Sequence, residues 1–165
     1  MTARLVTLLT IVPLVMGAGE SERDPAAAVE AVARAVQHGI VDRSPEKLAH
    51  FVGSDGIDCN DDMTPRDDVL KELRTKRIWL NSYLFDSPYF RERYVSPAYP
   101  MSLAEFFATH PSPSLRVDFI EVDGRKRLDW ACVSFSANGE KFHPRLCFFK
   151  APEGWIFTQS PIPCA

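Results

Sequence analysis

An α+β fold, with N-terminal helices packed on a C-terminal antiparallel sheet, is what this sequence predicts, and three observations carry it. Apolar residues recur at helical spacing through the chain before Pro113. From Leu115 onward the period falls to two. Three tight-turn signals then divide the remainder into four strands.

Taken in order, Asp24-Pro25 supplies an N-cap and a first-turn proline. Val29, Val32, Ala33, Val36 and Ile40 follow as one helical stripe that ends near Gly39. Ser44-Pro45-Glu46-Lys47 opens a second, short helix carrying Leu48, Phe51 and Val52 inward, and Gly53-Ser54-Asp55-Gly56 stops it. Thr64-Pro65-Arg66-Asp67 starts a third, with an acid three residues after the cap as in a capping box. Its stripe, Val69, Leu70, Leu73, Leu80 and Leu84, carries the helix to about Phe85 with a break near Arg77. Asp86 to Pro113 reads as loop, apart from a helix over Leu103 to Thr109 opened by the capping box Ser102-Leu103-Ala104-Glu105.

Leu115 to Val122 then alternates as a strand and Asp123-Gly124 turns it. Leu128 to Ala137 is the second strand and Asn138-Gly139 the second turn. Phe142 to Lys150 is the third, Pro152-Glu153-Gly154 the third turn, and Trp155 to Gln159 the last strand. Sequential strands joined by tight turns make an antiparallel four-strand meander.

The amino terminus carries a different signal. Arg4 is the only charge before Glu20, Leu5 to Met16 is apolar or neutral, and Gly17, Ala18 and Gly19 are small. Those are the parts of a secretory signal peptide cut after Ala18 or Gly19. The stretch falls short of the ~20 apolar residues that span a bilayer. No cysteine precedes Cys59, which excludes a lipid-anchored cysteine at the cut. The expected organisation is a signal peptide over 1–19 and a single α+β domain over 20–165, periplasmic or secreted, with no membrane contact after cleavage. Removing Arg4 with the leader leaves 18 basic against 22 acidic residues. A nucleic-acid binder would show a net basic face, so that class is excluded, and a monomer or weak dimer is expected.

Four cysteines, Cys59, Cys132, Cys147 and Cys164, allow three pairings in an oxidising compartment. No C-x-x-C or H-x-x-x-H pair occurs, so no zinc site is expected. If Asn138-Gly139 is a two-residue turn, Cys132 faces Arg145 and Cys147 lies diagonally, ~7–8 Å away and long for a bridge. A turn centred one residue later puts Cys132 opposite Cys147. Both registers place the two on one face, which favours Cys132–Cys147 and leaves Cys59 with Cys164.

The order of elements over most of residues 26–160, closing on Trp155-Ile156-Phe157-Thr158, resembles the NTF2-like superfamily. That resemblance implies helices lying in the concave side of a strongly curved sheet, an NTF2-like cone that encloses a pocket. It also implies neighbouring first and last strands, compatible with a Cys59–Cys164 bridge. Enzymes of that superfamily that do acid–base work place Asp, His or Tyr in the pocket, roles open here to His38, Asp58, Tyr83 and His143.

No other motif supplies chemistry. Asp58, Asn60 and Asp62 begin like an EF-hand loop, but Met63 stands where glycine is needed and Val69 where a bidentate glutamate is needed. The run from Asp55 to Asp62 reads instead as a solvated acidic loop. G-x-S-x-G is absent, and no histidine stands at a nucleophile spacing from a serine or cysteine. The basic clusters Arg74-Lys76-Arg77, Arg91-Arg93 and Arg125-Lys126-Arg127 read as solvated faces. No catalytic residue, metal or cofactor is assigned, and export argues against nucleotides.

What stands out is an aromatic segment. Nine of the eighteen aromatic residues lie between positions 79 and 107, all four tyrosines among them. Tyrosine interleaved with arginine is the composition of recognition surfaces. Tyr83, Tyr89, Phe90, Tyr94 and Tyr99 are therefore the candidate binding residues, covering the mouth of a pocket or meeting a partner. The expected function is binding of a small apolar ligand or a protein partner without catalysis. A cofactor-free isomerase or dehydratase and an inhibitor or immunity protein of a secreted enzyme are the alternatives.

Overall fold

The computed structural model describes residues 24–59 and 62–158, and the predicted signal peptide, its cut site and Cys164 lie outside them. The chain is α+β: helices first, then a curved antiparallel sheet. The helices are α1 (Pro25–Val41), α2 (Pro45–Ala49), α3 (Arg66–Arg74), α4 (Trp79–Phe85), α5 (Ser87–Arg93) and α6 (Leu103–Thr109). The strands are the short pair β1 (Ile57–Cys59) and β2 (Asp62–Thr64), then β3 (Ser114–Val122), β4 (Arg125–Ala137), β5 (Glu140–Ala151) and β6 (Gly154–Phe157). The last four form a sheet in the order β3-β4-β5-β6, the expected meander.

The local chemistry explains most boundaries. Asp24 and Ser44 cap α1 and α2 with their side chains, each followed by a proline in the first turn. Val29, Ala33, Val36 and Ile40 bury the predicted stripe of α1, with Val32 half-buried beside it. The long third helix is two helices. Arg77 takes a positive φ of 64° at the break, and the buried Asn81 amide donates to Leu73 O at 2.6 Å, tying α4 back onto the end of α3.

Three expectations are corrected. Residues 57–59 and 62–64 pair as two short antiparallel strands rather than lying in a loop, and Ile57 is drawn into the core. Thr64 consequently lies in β2 opposite Ile57, so α3 starts from Pro65 with no side-chain cap and the capping box does not form. Residues 87–93 are helix rather than loop: Asp86 accepts from Tyr89 N, Pro88 occupies the first turn, and Phe90 turns inward.

The turns at Asp123-Gly124 and Asn138-Gly139 carry positive φ at both central residues, matching the twist of the flanking strands. Ala137 pairs with Glu140 across the second of them, yet Cys132 stands opposite Cys147. Both hold because the ladder slips between Val133 and Phe135. Ser134 alone faces residues 143–145, two more than a regular ladder allows. Pro144 has no amide hydrogen for a ladder bond there. A second slip lies between Phe119 and Glu121 of β3, and together the slips bend the sheet.

One face of the sheet carries Val133, Phe135, Phe142, Leu146, Phe148 and Phe157 into the core with the helices. Cys132 lies between Ala131 and Val133, so strand alternation puts it on the opposite face. There it is bonded to Cys147, with Cα atoms 3.9 Å apart. The Cys59–Cys164 expectation rests on Cys164, which lies outside the described residues.

Candidate functional site

The space between helices and sheet is packed with rings. Tyr83, Phe90, Phe107, Phe135 and Phe148 are all fully buried there. Trp79 stacks on Tyr83 at 4.8 Å, and Phe90 and Tyr99 meet the pair in tilted and edge-on contacts. The Tyr83 hydroxyl is buried with no hydrogen-bond partner among the described residues, and burial pushes its pKa well above the usual phenol value. It stays protonated at neutral pH.

At the end of the sheet where β4 turns into β5, the packing opens. A part-open groove of about 260 Å³ lies between the 97–101 segment, α6 and the β4–β5 hairpin. Pro97, Ala98, Pro100 and Met101 form one wall, Phe106 and His110 the second, and Ala137, Lys141 and Phe142 the third. The lining is mostly apolar.

Each wall has a local cause. The Ser102 hydroxyl accepts from Glu105 N at 3.0 Å, so the serine half of the predicted capping box starts α6, while the Glu105 carboxylate pairs with Arg91. Phe106 then stacks on Phe142 at 4.5 Å, and Phe107 meets Phe135 edge-on at 4.9 Å, fixing α6 to the sheet. His110 closes the helix, its ring 4.9 Å from Phe106. Its Nδ1 lies 3.2 Å from Phe106 O and 2.9 Å from Thr109 Oγ1. Both contacts engage Nδ1, and Nε2 is the ring's remaining polar atom. Across the groove, Ser96 and Tyr99 exchange backbone hydrogen bonds of 3.1 and 3.0 Å, which leaves Pro97-Ala98 as the tip of a closed turn.

The sequence-predicted binding residues do not line this groove. Tyr83 and Phe90, both 0% exposed, belong to the core. Tyr89 and Tyr94 are half-buried and meet edge-on at 6.0 Å, with the Arg77 guanidinium 5.9 Å from the Tyr89 ring. Tyr99 comes nearest: anchored on Trp79 and Tyr83, it holds the Ala98 and Pro100 wall in place. Among the acid–base candidates, His38 is exposed on α1, while the side chains of Asp58 and His143 lie outside the described residues. The basic clusters are exposed, and within them Arg91 pairs with Glu105 and Arg127 with Asp129.

Sequence reasoning missed the groove residues because they are scattered over three elements. The Pro97 and Pro100 pair, bracketing an aromatic anchor, was the one local sign. Among the described residues no group of three His, Cys, Asp or Glu side chains could hold a metal ion. No described helix is long and apolar enough to cross a membrane. Compared with protein-family models, curated proteins and solved structures, the chain matches none.

Proposed function

We propose that this protein is an exported, non-catalytic binding domain that takes a small apolar ligand in the groove between the 97–101 segment, α6 and the β4–β5 hairpin. The observation that carries the reading is an apolar concavity beside a core otherwise filled by aromatic rings. Its volume of about 260 Å³ lies just under the usual range for ligand pockets. It exceeds the ~150 Å³ cavity that accepts benzene in an apolar core. A ligand of one ring with short substituents fits that size.

Export rests on residues 1–19 and on the Cys132–Cys147 bridge, which persists best in an oxidising compartment. The NTF2-like reading belongs to the same proposal. It is supported by element order: two helices, a short hairpin, further helices and a meander.

Titration of the purified protein with toluene or indole, followed by amide and methyl NMR shifts, tests the binding reading. Shifts should concentrate on Ala98, Met101, His110 and Phe142. Ala98→Trp places a large ring at an exposed wall position and should weaken binding by about tenfold or more while the fold is kept. Saturable binding that leaves those residues unshifted, or that survives Ala98→Trp unchanged, would refute the site.

A further inference from the structure

We infer that the groove selects an aromatic ring bearing a negative charge, such as an aromatic carboxylate, over neutral or cationic rings of the same size. The inference rests on the binding reading above and adds the chemical class of the ligand.

Two features of the lining carry it. The first is charge. Of the nine lining residues only His110 and Lys141 are ionisable, and both are basic; no acidic side chain belongs to the lining among the described residues. This is a local reversal in a chain whose net charge is −3. Glu105, the acid of the helix that supplies the second wall, is paired with Arg91. The second feature is the shape of the polar opportunity. His110 has Nδ1 against Phe106 O and Thr109 Oγ1, which fixes the ring, and in the imidazolium form Nε2–H is a donor that a carboxylate can accept. That ring lies beside Phe106, which is itself stacked on Phe142. A flat apolar body against these rings would share the groove with the His110 ring and the Lys141 side chain.

The neighbouring walls do not offer a competing recognition chemistry. Pro97, Ala98, Pro100 and Met101 bring no charged group to the site. A cationic ligand finds no carboxylate in the lining among the described residues, and a neutral one forms no charge pair with Lys141. Opposite charge in a partly desolvated site favours the anion.

Three probes of one ring size separate this from the underlying reading: benzoate, benzyl alcohol and benzylamine, each titrated into the purified protein by NMR. The expected order of affinity is benzoate, then benzyl alcohol, then benzylamine, with shifts at Ala98, Met101, His110 and Phe142. Lys141 is exposed, so its replacement leaves the core intact. Lys141→Gln should weaken benzoate by about three- to fivefold, the size of a single exposed charge contact, and leave benzyl alcohol unchanged. Lys141→Glu should bring benzylamine above benzoate. Equal binding of benzoate and benzyl alcohol, untouched by either variant, would overturn the charge selectivity and keep the apolar site. Failure of all three probes to shift the groove would overturn both.

Discussion

Gly56 shows most directly how a single residue sets local structure here. It sits at φ +100°, and a Cβ at that position would fall 2.0 Å from Thr64 O. Gly56→Ala combines backbone strain with a steric clash against main chain that cannot rotate away. A loss of ~2–3 kcal/mol in urea unfolding is expected, with the largest shifts in β1 and β2. Gln37 is a different case. Buried on α1, it donates to Pro111 O at 3.0 Å, while Arg34 donates to Pro113 O at 3.1 Å and to Gln37 itself. The link between α6 and β3 is thus pinned to α1 by two side chains. Gln37→Ala should cost ~0.5–1.5 kcal/mol, the net worth of a side-chain hydrogen bond lost from a buried position. Tyr83→Phe should do the reverse: its hydroxyl is buried without a partner among the described residues, so removal leaves stability unchanged or raises it by ~1 kcal/mol. A large loss would mean that the hydroxyl has a partner in solution.

At the scale of elements, what could be read locally was read well. The α1 stripe, the Ser102 cap and the positive-φ turns at Asp123-Gly124 and Asn138-Gly139 all depend on residues within a few positions of each other. Helix α5 shows a readable signal outweighed by composition. Asp86-Ser87-Pro88 is a cap followed by an early proline, like Asp24-Pro25, but the dense aromatics and prolines around it suggested loop. The β1–β2 hairpin was hidden for a different reason: three-residue strands carry too little periodicity to stand out, and only the burial of Ile57 marks the pair. The Cys132–Cys147 bridge combines both kinds of information. The face shared by the cysteines was legible, whereas their register depends on the slip opposite Ser134 that Pro144 accompanies. Replacing both cysteines by alanine opens a cross-link of sequence separation 15. A loss of ~2–4 kcal/mol is expected in thermal or denaturant unfolding, in the range for loops of that size. An unchanged midpoint would show that the hairpin turn alone holds these strands.

For the molecule as a whole, the sheet leaves β3 as an edge strand at the end of the order β3-β4-β5-β6. Arg116, Asp118 and Glu121 place charge along it, and Arg116 pairs with Asp118 at 2.7 Å. Charges on an edge discourage strand addition by another copy. Sedimentation velocity at micromolar concentration should accordingly give a single monomer species, and a concentration-dependent dimer would contradict it. The candidate site was the least legible feature, because it exists only where a turn tip, the end of α6 and a hairpin meet. The sequence drew attention to the aromatic segment itself. In the fold, that segment gives Tyr83 and Phe90 to the core and, through Tyr99, holds a wall of the groove. The central claim is that this groove takes a ring-sized ligand. Intermolecular NOEs between a bound ring probe and the methyl groups of the protein measure it directly. The account predicts contacts from the ring to Met101 and Ala98 together with the Phe142 ring, and contacts confined to other surfaces, with saturable binding, would contradict it.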